Sequence, residues 1–403
     1  MKDILIDTFG GQITFENRCM GCFACYSACP VKAIEMESND EGFLYPSIDR
    51  DKCVTCGRCV SVCPSLSVPQ TTNPLEILSA SSKSEEMILK SSSGGIVGEI
   101  AKTIMDHQGE HRGIVFGAVF NPESQAIEHG SSDQYSVDSI LRSKYVQSAV
   151  NGAYCEALDA LIEHRKVVFV GTPCQIHGLR NLIDTQDQNL FQDQNLFLVD
   201  FKCHGVPSPG FFRKVVKALE LKNKSKLCNV TFREKDFGWR DQCIKFYFEN
   251  GKVERYRSRY FYYYQLFINN YSLRRSCFAC DYYKKHASDI TLADHWQNGE
   301  KTIQGRSLIF VNTPKGKSLL RSLERRIDVH SRIDMNLEYY QHRYPWRNRD
   351  RFFGDYIYMD DSSLIRKYKY VGVKDQCRRA LARFMRLFGK PRGKSAMGPN
   401  GGR

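Results

Sequence analysis

The sequence predicts an α+β module at the N-terminus, then an α/β body with a mostly parallel sheet, an antiparallel extension and a basic C-terminal helix. Three observations carry this prediction. Eight of the sixteen cysteines fall in two short runs between residues 19 and 63. After residue 76, helical segments alternate with apolar, β-branched segments, which is typical of a parallel sheet covered by helices. Basic residues are concentrated after residue 363.

Both cysteine runs have the spacing C-x2-C-x2-C-x3-C followed by proline. This spacing is typical of ferredoxin-like domains with two [4Fe–4S] clusters, where the fourth cysteine of each run binds the other cluster. The predicted ligands of the first cluster are Cys19, Cys22, Cys25 and Cys63. Those of the second cluster are Cys53, Cys56, Cys59 and Cys29. Electron transfer is therefore the function that these runs predict.

Disulfides and zinc are the alternative uses of such cysteines. The N-terminal sequence MKDILIDTFGG is too short and too acidic for an export signal, and the cysteines are unevenly spread along a large chain. Both observations argue against a disulfide framework. Zinc sites use pairs of C-x2-C rather than two triplets that each close with Cys-Pro. We therefore expect iron–sulfur ligands in a reducing cytoplasm.

Length and composition indicate more than one domain. The chain has 403 residues, of which 42% are hydrophobic and 26% charged, as is ordinary for a soluble protein. No apolar segment reaches transmembrane length. We predict a 2[4Fe–4S] ferredoxin-type domain at 1–68, a linker and first strand at 69–80, the two parts of the body at 81–165 and 166–345, and a basic helical tail with a disordered end at 346–403.

The elements of the body are predicted from periodicity. Strands are expected at 77–80, 114–120, 166–170 and 196–201, with helices at 94–105 and 153–163. Three further strands, at 229–233, 244–249 and 252–256, indicate the antiparallel extension. The turn Glu249-Asn250-Gly251 predicts a hairpin between the last two.

The positive charge belongs to the tail. The net charge is +13, and residues 364–403 contain twelve Lys or Arg against one acid, Asp375. The rest of the chain is close to neutral, so we expect no nucleic-acid partner. Apolar residues from Cys377 to Phe388 recur at helical spacing between arginines, which predicts a basic amphipathic helix. This helix either docks on the body or contacts an acidic partner or an anionic membrane surface, such as the inner membrane.

Four cysteines of the body have contexts that suit a third cluster. Cys174 and Cys203 each follow a predicted strand, and sites in open α/β sheets lie at the carboxyl ends of strands. Cys277 and Cys280 form a C-x2-C pair. Together these thiols are enough for a third [4Fe–4S] cluster. A structural zinc site and unrelated buried thiols are the alternatives.

An ordered set of phrases in the body resembles one known family. The phrases include SSSGG at 91–95, SKYVQS at 143–148, GTPCQ at 171–175, CHGVPSP at 203–209 and DITLAD at 289–294. Their order and spacing resemble the coenzyme F420 hydrogenase/dehydrogenase beta-subunit family, over roughly residues 19–316. Many bacterial relatives of this type join a ferredoxin domain to the body and are associated with polysaccharide biosynthesis.

The resemblance implies a flavoprotein that passes electrons between clusters and FAD. The flavin-binding residues that it implies are Ser93, Gly94, Gly95, Lys144, Tyr145, Gln147 and Thr172. Ser93 to Gly95 precede a helix, where free N–H groups suit a pyrophosphate; a plain helix cap is the alternative. Lys144 is expected to stabilise the reduced, anionic flavin, although a lone loop lysine is usually solvated.

The resemblance also assigns Cys174, Cys203, Cys277 and Cys280 to the third cluster, and gives His204 a role beside it or as a proton donor at the flavin. One phrase departs from the family: Ala293-Asp294-His295-Trp296 stands where Gly-Asp-Phe-Trp is usual. The departure leaves open the substrate and the use of the deazaflavin coenzyme.

The sequence therefore predicts an iron–sulfur flavoprotein oxidoreductase with an unidentified substrate. Its partner is expected to be a redox protein or a hydride-carrier coenzyme. The alternative is an electron-transfer subunit without its own substrate, which needs clusters but no FAD.

Overall fold

A computed structural model describes residues 4–67, 69, 73–106, 112–186, 193–282, 284–296, 305–333 and 347–371. The amphipathic helix predicted over 377–388 and the disordered end lie outside these residues. Within the described ranges, no helix combines the length and the apolar character that crossing a membrane requires.

The N-terminal module is small and built around its cysteine loops. Its helices are α1 (Ile4–Thr8), α2 (Gln12–Arg18), α3 (Ala24–Ala28) and α4 (Arg58–Ser61), and its strands are β1 (Ile34–Ser38) and β2 (Leu44–Ile48). The two strands pair antiparallel, with Ile34 opposite Ile48. Each cysteine loop leads into a short helix, α3 or α4. This is the α+β module that the sequence predicts.

The first half of the body alternates strands and helices. Its elements are β3 (Glu76–Ser82), α5 (Glu85–Leu89), α6 (Ile96–Met105), β4 (Ile114–Asn121), β5 (Ala126–Ser131), α7 (Val137–Ile140), α8 (Ala153–Ile162), β6 (Val167–Val170), α9 (Pro173–Asp184), β7 (Leu196–Phe201) and α10 (Pro209–Asn223). Each strand and helix predicted up to residue 201 is present, with ends that differ by no more than a few residues.

The second half returns to the same sheet and adds a smaller one. Its elements are β8 (Leu227–Glu234), β9 (Cys243–Phe248), β10 (Val253–Arg257), α11 (Tyr262–Ile268), a 3₁₀ turn (Arg275–Ala279), β11 (Ile290–Asp294), β12 (Ser307–Val311), α12 (Pro314–Ser322), β13 (Ile327–Arg332), α13 (Arg347–Tyr358) and α14 (Asp361–Tyr368). The small sheet has the order β10-β9-β8 and is antiparallel, so the predicted extension and its hairpin are confirmed.

The large sheet is mixed rather than mostly parallel. Its order is β13-β3-β12-β11-β7-β6-β4-β5. The four strands β4, β6, β7 and β11 run parallel, whereas β5, β12, β3 and β13 pair antiparallel with their neighbours. The prediction is confirmed for the centre of the sheet only. One reason is that residues 122–125 are too few for a crossover, so β5 must return beside β4 as a hairpin.

Alternate residues of the central strands bury into two helical layers. Val167 and Phe169 of β6 pack with α8 and α9 on one face, and Val168 packs with α6 and α12 on the other. Each such buried side chain contributes roughly 1.5–3 kcal/mol. The layer of α8 and α9 also includes Phe23 and Ala24 of the N-terminal module, so the module shares this core with the body.

Candidate metal centres and cofactor site

The first cysteine group combines residues from both runs. Cys19, Cys22, Cys25 and Cys63 line one cavity. Burial, and then the nearby thiols of Cys63 and Cys25, raise the pKa of Cys22 well above its ordinary value. The fourth cysteine of the second run thus lies with the triplet of the first run, which is the grouping that the ferredoxin spacing predicts.

The loop of this first group needs a glycine at position 21. Gly21 has φ of +60°, and a Cβ atom there would lie 2.7 Å from Gln147 Nε2 and 2.8 Å from Arg274 Nη1. Both the left-handed backbone and the close approach of the body therefore exclude a side chain. The loop and the body fit together at this point.

The second cysteine group lies at the surface. Cys29, Cys53, Cys56 and Cys59 line one shallow pocket. Cys56 is exposed, and the adjacent Val54 is 59% exposed. The backbone N–H of Ala33 donates to Cys29 Sγ at 3.2 Å. Among the three cysteine groups, this is the one with an exposed thiol.

The third group gathers the four cysteines of the body. Cys174 follows β6 at the start of α9, Cys203 follows β7, and Cys277 and Cys280 lie in and after the 3₁₀ turn. Burial, and then the thiols of Cys277, Cys174 and Cys280, raise the pKa of Cys203. Burial and Cys174 likewise raise the pKa of Cys277 to about 11. The four thiols are thus close neighbours in a buried region.

Local structure accounts for the position of Cys174. Thr172 caps α9, where its N–H donates to Gln175 Oε1 at 3.0 Å, and Pro173 occupies the first helical turn, which proline favours. The Thr172 hydroxyl also lies 3.2 Å from Cys174 Sγ. The resemblance gives Thr172 to the flavin, whereas here it contacts a cysteine of the third group.

The first and third groups are neighbours. Cys174 is among the thiols that raise the pKa of Cys22, after burial and the closer cysteines of its own group. A Cβ atom at Gly178, one turn along α9 from Cys174, would lie 3.3 Å from Cys22 Sγ. The N-terminal module and the body therefore bring their cysteines together in one buried region.

The spacing of these thiols matters for the kind of metal centre. Within the described part of the chain, no three His, Cys, Asp or Glu side chains are grouped closely enough to hold a single metal ion. A tetrahedral zinc site draws four ligands onto one atom, whereas each cysteine around a cubane binds a different iron. Four cysteine thiols are a ligand set that both kinds of metal centre use.

The Ser92–Ser93–Gly94–Gly95 loop is fixed against β12 and the small sheet. Ser93 Oγ donates to the Arg306 carbonyl at 2.6 Å, and Gly94 N–H donates to Ser307 Oγ at 3.0 Å. The indole N–H of Trp239 donates to the Ser92 carbonyl at 3.1 Å. The Gly94 N–H predicted for a pyrophosphate is thus already paired within the protein.

Cationic side chains that the sequence did not single out surround this loop. Lys235 Nζ donates to the Ser93 carbonyl at 2.8 Å, and burial, followed by the charges of Arg233 and Arg142, lowers the pKa of Lys235 to about 7. Arg233 lies 2.8 Å from Asp294, and Arg142 lies 3.1 Å from Glu234. We call Arg142, Arg233 and Lys235 the cationic group.

Two guanidinium nitrogens of the cationic group lack an acceptor. Arg142 Nε and Arg233 Nε are buried and have no hydrogen-bond partner among the described residues. Arg233 also has φ of +58°, where the strand pairing of β8 is irregular. Unpaired buried donors are costly, and local strain often marks a functional position. An anionic group beside these arginines would satisfy them.

The three residues predicted from the SKYVQS phrase have different surroundings. Lys144 Nζ donates to the carbonyls of Ser139, Ile140 and Leu141 at 2.5, 3.1 and 2.6 Å. Burial, and then the charge of Arg142, lower the pKa of Lys144 to about 7. Lys144 therefore holds the end of α7.

Tyr145 and Gln147 contact other parts of the protein than Lys144 does. The Tyr145 ring contacts Phe267, with centroids 4.9 Å apart. The Gln147 amide donates to the Met20 carbonyl at 2.9 Å, beside the first cysteine group. Their flavin-binding roles remain predictions, as does that of Lys144.

His204 lies between the third cysteine group and the aromatic residues near Tyr145. Its ring meets Phe267 edge-on at 5.2 Å, and burial lowers its pKa. Its Nε2 atom is buried with no partner among the described residues. Its position next to Cys203 is compatible with both predicted roles, a place beside the third cluster and proton donation at the flavin.

Comparison with known proteins identifies the parts of the chain. Residues 164–333 match the family model for the C terminus of the coenzyme F420 hydrogenase/dehydrogenase beta subunit. Residues 18–66 match a 4Fe–4S dicluster domain, and residues 45–112 match a second model of the same description. None of the curated proteins compared with this chain matches it.

Among solved structures, a chain of the F420-reducing [NiFe] hydrogenase complex from Methanosarcina barkeri shares 15% identity, with a TM-score of 0.44, over 65% of this chain and 84% of that one. The first model covers the phrases at 171–175, 203–209 and 289–294, and the dicluster model over 18–66 covers both cysteine runs. The matches support an electron-transfer redox protein in which a 4Fe–4S dicluster domain at 18–66 precedes a region, 164–333, that matches the C terminus of the coenzyme F420 hydrogenase/dehydrogenase beta subunit.

Proposed function

We propose that this protein is a flavin-dependent oxidoreductase in which three [4Fe–4S] clusters connect the protein surface to an FAD in the body. One observation carries the proposal: Cys22 Sγ of the dicluster domain faces Gly178, where a Cβ atom would lie 3.3 Å away, one turn along α9 from Cys174. A free-standing ferredoxin domain needs no such contact. The contact supports a continuous electron path from the exposed second group to the body.

The residues around the third site fit a cluster. Burial raises the pKa of all four thiols, and neighbouring cysteines add to the shift for Cys203, Cys277 and Cys280, so the thiolates would repel one another without a metal. Iron binds thiolates and offsets that repulsion, since metal binding releases the thiol protons. Cys174, Cys203, Cys277 and Cys280 are the proposed ligands.

The residues around the Ser92–Gly95 loop fit an anionic cofactor. Arg142 and Arg233 would donate their unpaired Nε–H groups to phosphate oxygens, and Lys235 would add a third cation. FAD supplies the exchange between hydride transfer and single-electron transfer. Ser93, Gly94 and Gly95 would shape the loop, and His204 would donate or hold a proton. The substrate is proposed to be a hydride carrier or a partner protein.

The proposal also covers the cellular location and the basic tail. Thiols and iron–sulfur ligands suit a reducing compartment, for which we propose the cytoplasm. The basic tail is proposed to contact an anionic membrane surface, an idea that rests on its charge alone.

The flavin is tested by cofactor content. The protein purified without oxygen is expected to contain about one FAD per chain, and Arg233→Gln to lose most of it, because that guanidinium pairs with phosphate. Arg240→Gln, at an exposed position of the same loop region, is the matched control. Clusters without flavin in the wild type would favour the alternative, an electron-transfer subunit that serves a partner enzyme.

A further inference from the structure

Arg274 is a fully buried cation between two cysteine groups. Its Nε–H donates to the Cys19 carbonyl at 2.8 Å, and Nη2 lies 3.5 Å from Cys19 Sγ. Nη1 donates to the Leu44 carbonyl at 3.0 Å and to Gln147 Oε1 at 3.1 Å. The guanidinium thus fits between the first cysteine loop, strand β2 and the body.

The same residue faces the third group. The Arg274 backbone carbonyl accepts from the Cys277 N–H at 3.1 Å, and its N–H donates to the Val206 carbonyl at 3.0 Å. Arg274 therefore lies where the first and third groups approach each other.

The charge of Arg274 has no carboxylate partner. No Asp or Glu in the described part of the chain forms an ion pair with it, and its contacts are carbonyls, an amide, a thiol and the Tyr45 ring at 3.9 Å. Guanidinium groups stay protonated in proteins, and an unpaired buried charge is costly. Thiolates that carry a cluster would supply the missing negative charge.

The second group has exposed rather than buried cations near it in the described N-terminal module. The basic residues near it in sequence, Lys32, Arg50, Lys52 and Arg58, are all exposed. Water and salt screen exposed charges strongly. Cluster potentials depend on net charge, on hydrogen bonds to sulfur and on solvent exposure, and in all three respects the first group differs from the second.

We infer that Arg274 raises the reduction potential of the first cluster above that of the second, so that an electron is held preferentially at the buried cluster next to the body. Arg274 stabilises the reduced form more than the oxidised form, because the reduced form carries an additional negative charge. The charge of Arg274 thus determines which of the two clusters holds the electron. The inference rests on the proposed function.

The test is an EPR-monitored redox titration of the full-length protein purified without oxygen. Arg274→Gln should lower the equilibrium constant for reduction of the first cluster by about tenfold, about 59 mV for one electron, and leave the second cluster unchanged. Arg274→Lys keeps the charge and should restore most of the difference. A Cys56→Ala background removes a ligand of the second cluster and so assigns the signals.

Arg18→Gln is the matched control. Arg18 is exposed and directly precedes Cys19, so its removal changes the net charge equally but should shift the potential by less than about twofold in the equilibrium constant. If Arg274→Gln leaves both potentials unchanged, or shifts them no more than Arg18→Gln, the inference is wrong.

If Arg274→Gln does not take up its clusters, a second variant tests whether the charge of Arg274 sets the potential of the first cluster. Gln147→Glu would place a carboxylate on Nη1 and neutralise the guanidinium without removing it. The potential of the first cluster should again fall, and an unchanged potential overturns the inference. Wild-type protein that binds no iron would instead overturn the proposed function.

Discussion

Arg349 and Glu41 form a buried ion pair that ties the N-terminal module to helix α13. The Arg349 side chain is 0% exposed and that of Glu41 is 7% exposed. Arg349 donates from Nη1 and Nη2 to the two carboxylate oxygens and from Nε to the Leu273 carbonyl. Arg275 adds a third donor at 2.8 Å from Glu41 Oε1. We predict that Arg349→Leu destabilises the junction.

The expected loss of stability depends on the ion pairs that Glu41 keeps after Arg349→Leu. Removing one partner of a buried ion pair costs about 3–5 kcal/mol, because the other charge stays buried and unpaired. Here Arg275 still pairs with Glu41, so we expect the lower end, about 3 kcal/mol. With an unfolding entropy of about 2.1 cal/mol/K per residue, this corresponds to a fall of about 3–4 °C in Tm.

The assay is thermal unfolding of the cluster-loaded protein at a fixed scan rate, since unfolding of such proteins is commonly irreversible. Lys52→Ala is the control: it breaks the exposed ion pair with Asp49 and should leave Tm unchanged. Hydrogen exchange should also rise in α13 and in the turn that contains Glu41. Equal Tm values for Arg349→Leu and the wild type would refute the reasoning.

Three further predictions concern pH, the first loop and the tail. Burial raises the pKa of Glu41, but Arg349 and Arg275 outweigh it and lower the pKa overall; the stability gained is therefore present above the ordinary pKa of about 4.3 and lost only in acid. The Tm difference between wild type and Glu41→Gln should stay constant from about pH 5.5 to 8, and a difference that disappears by pH 5.5 would contradict the pairing. Gly21→Ala should cost about one cluster of iron, about four atoms, whereas Gly57→Ala, with a similar φ but open space around it, should keep its iron; equal losses would show that crowding by the body is irrelevant. Deleting residues 374–403 should abolish binding to anionic vesicles, and unchanged binding would dismiss the membrane role.

The sequence predicted those features that depend on spacing. The ferredoxin repeat places Cys63 with Cys19 because its chemistry is local and stereotyped. Cys174 and Cys203 follow the ends of the parallel strands β6 and β7 by a few residues, and strand ends of a parallel sheet meet at one edge. The placement of Cys63 with Cys19, and of Cys174 with Cys203, could therefore be predicted from the sequence.

Other features depend on contacts that no local pattern encodes. Arg274 and Glu41 owe their importance to burial against distant segments, and each looks like an ordinary surface residue in the sequence. The antiparallel outer strands follow from pairing between β3 and β12, which are distant in the chain. The phrase predicts Lys144 at a cofactor, which stays a prediction, but it does not reveal that the ammonium also holds the end of α7.

The sequence contains a signal for the two arginines of the cationic group, because both lie in or beside phrases of the family resemblance. Arg233 belongs to Phe232-Arg233, a further phrase of the family resemblance, and Arg142 directly precedes SKYVQS. A search for basic residues next to such phrases would have found both. Their unpaired nitrogens, however, are visible only in three dimensions.

The iron content of Cys277→Ala tests the central claim most directly, because that cysteine belongs only to the third group. Wild-type protein purified without oxygen should contain about twelve irons, and Cys277→Ala about eight. Cys155→Ala, which removes an exposed cysteine on α8, should keep all twelve. Equal iron in Cys277→Ala and the wild type would contradict a third cluster and would leave the dicluster domain as the only metal centre.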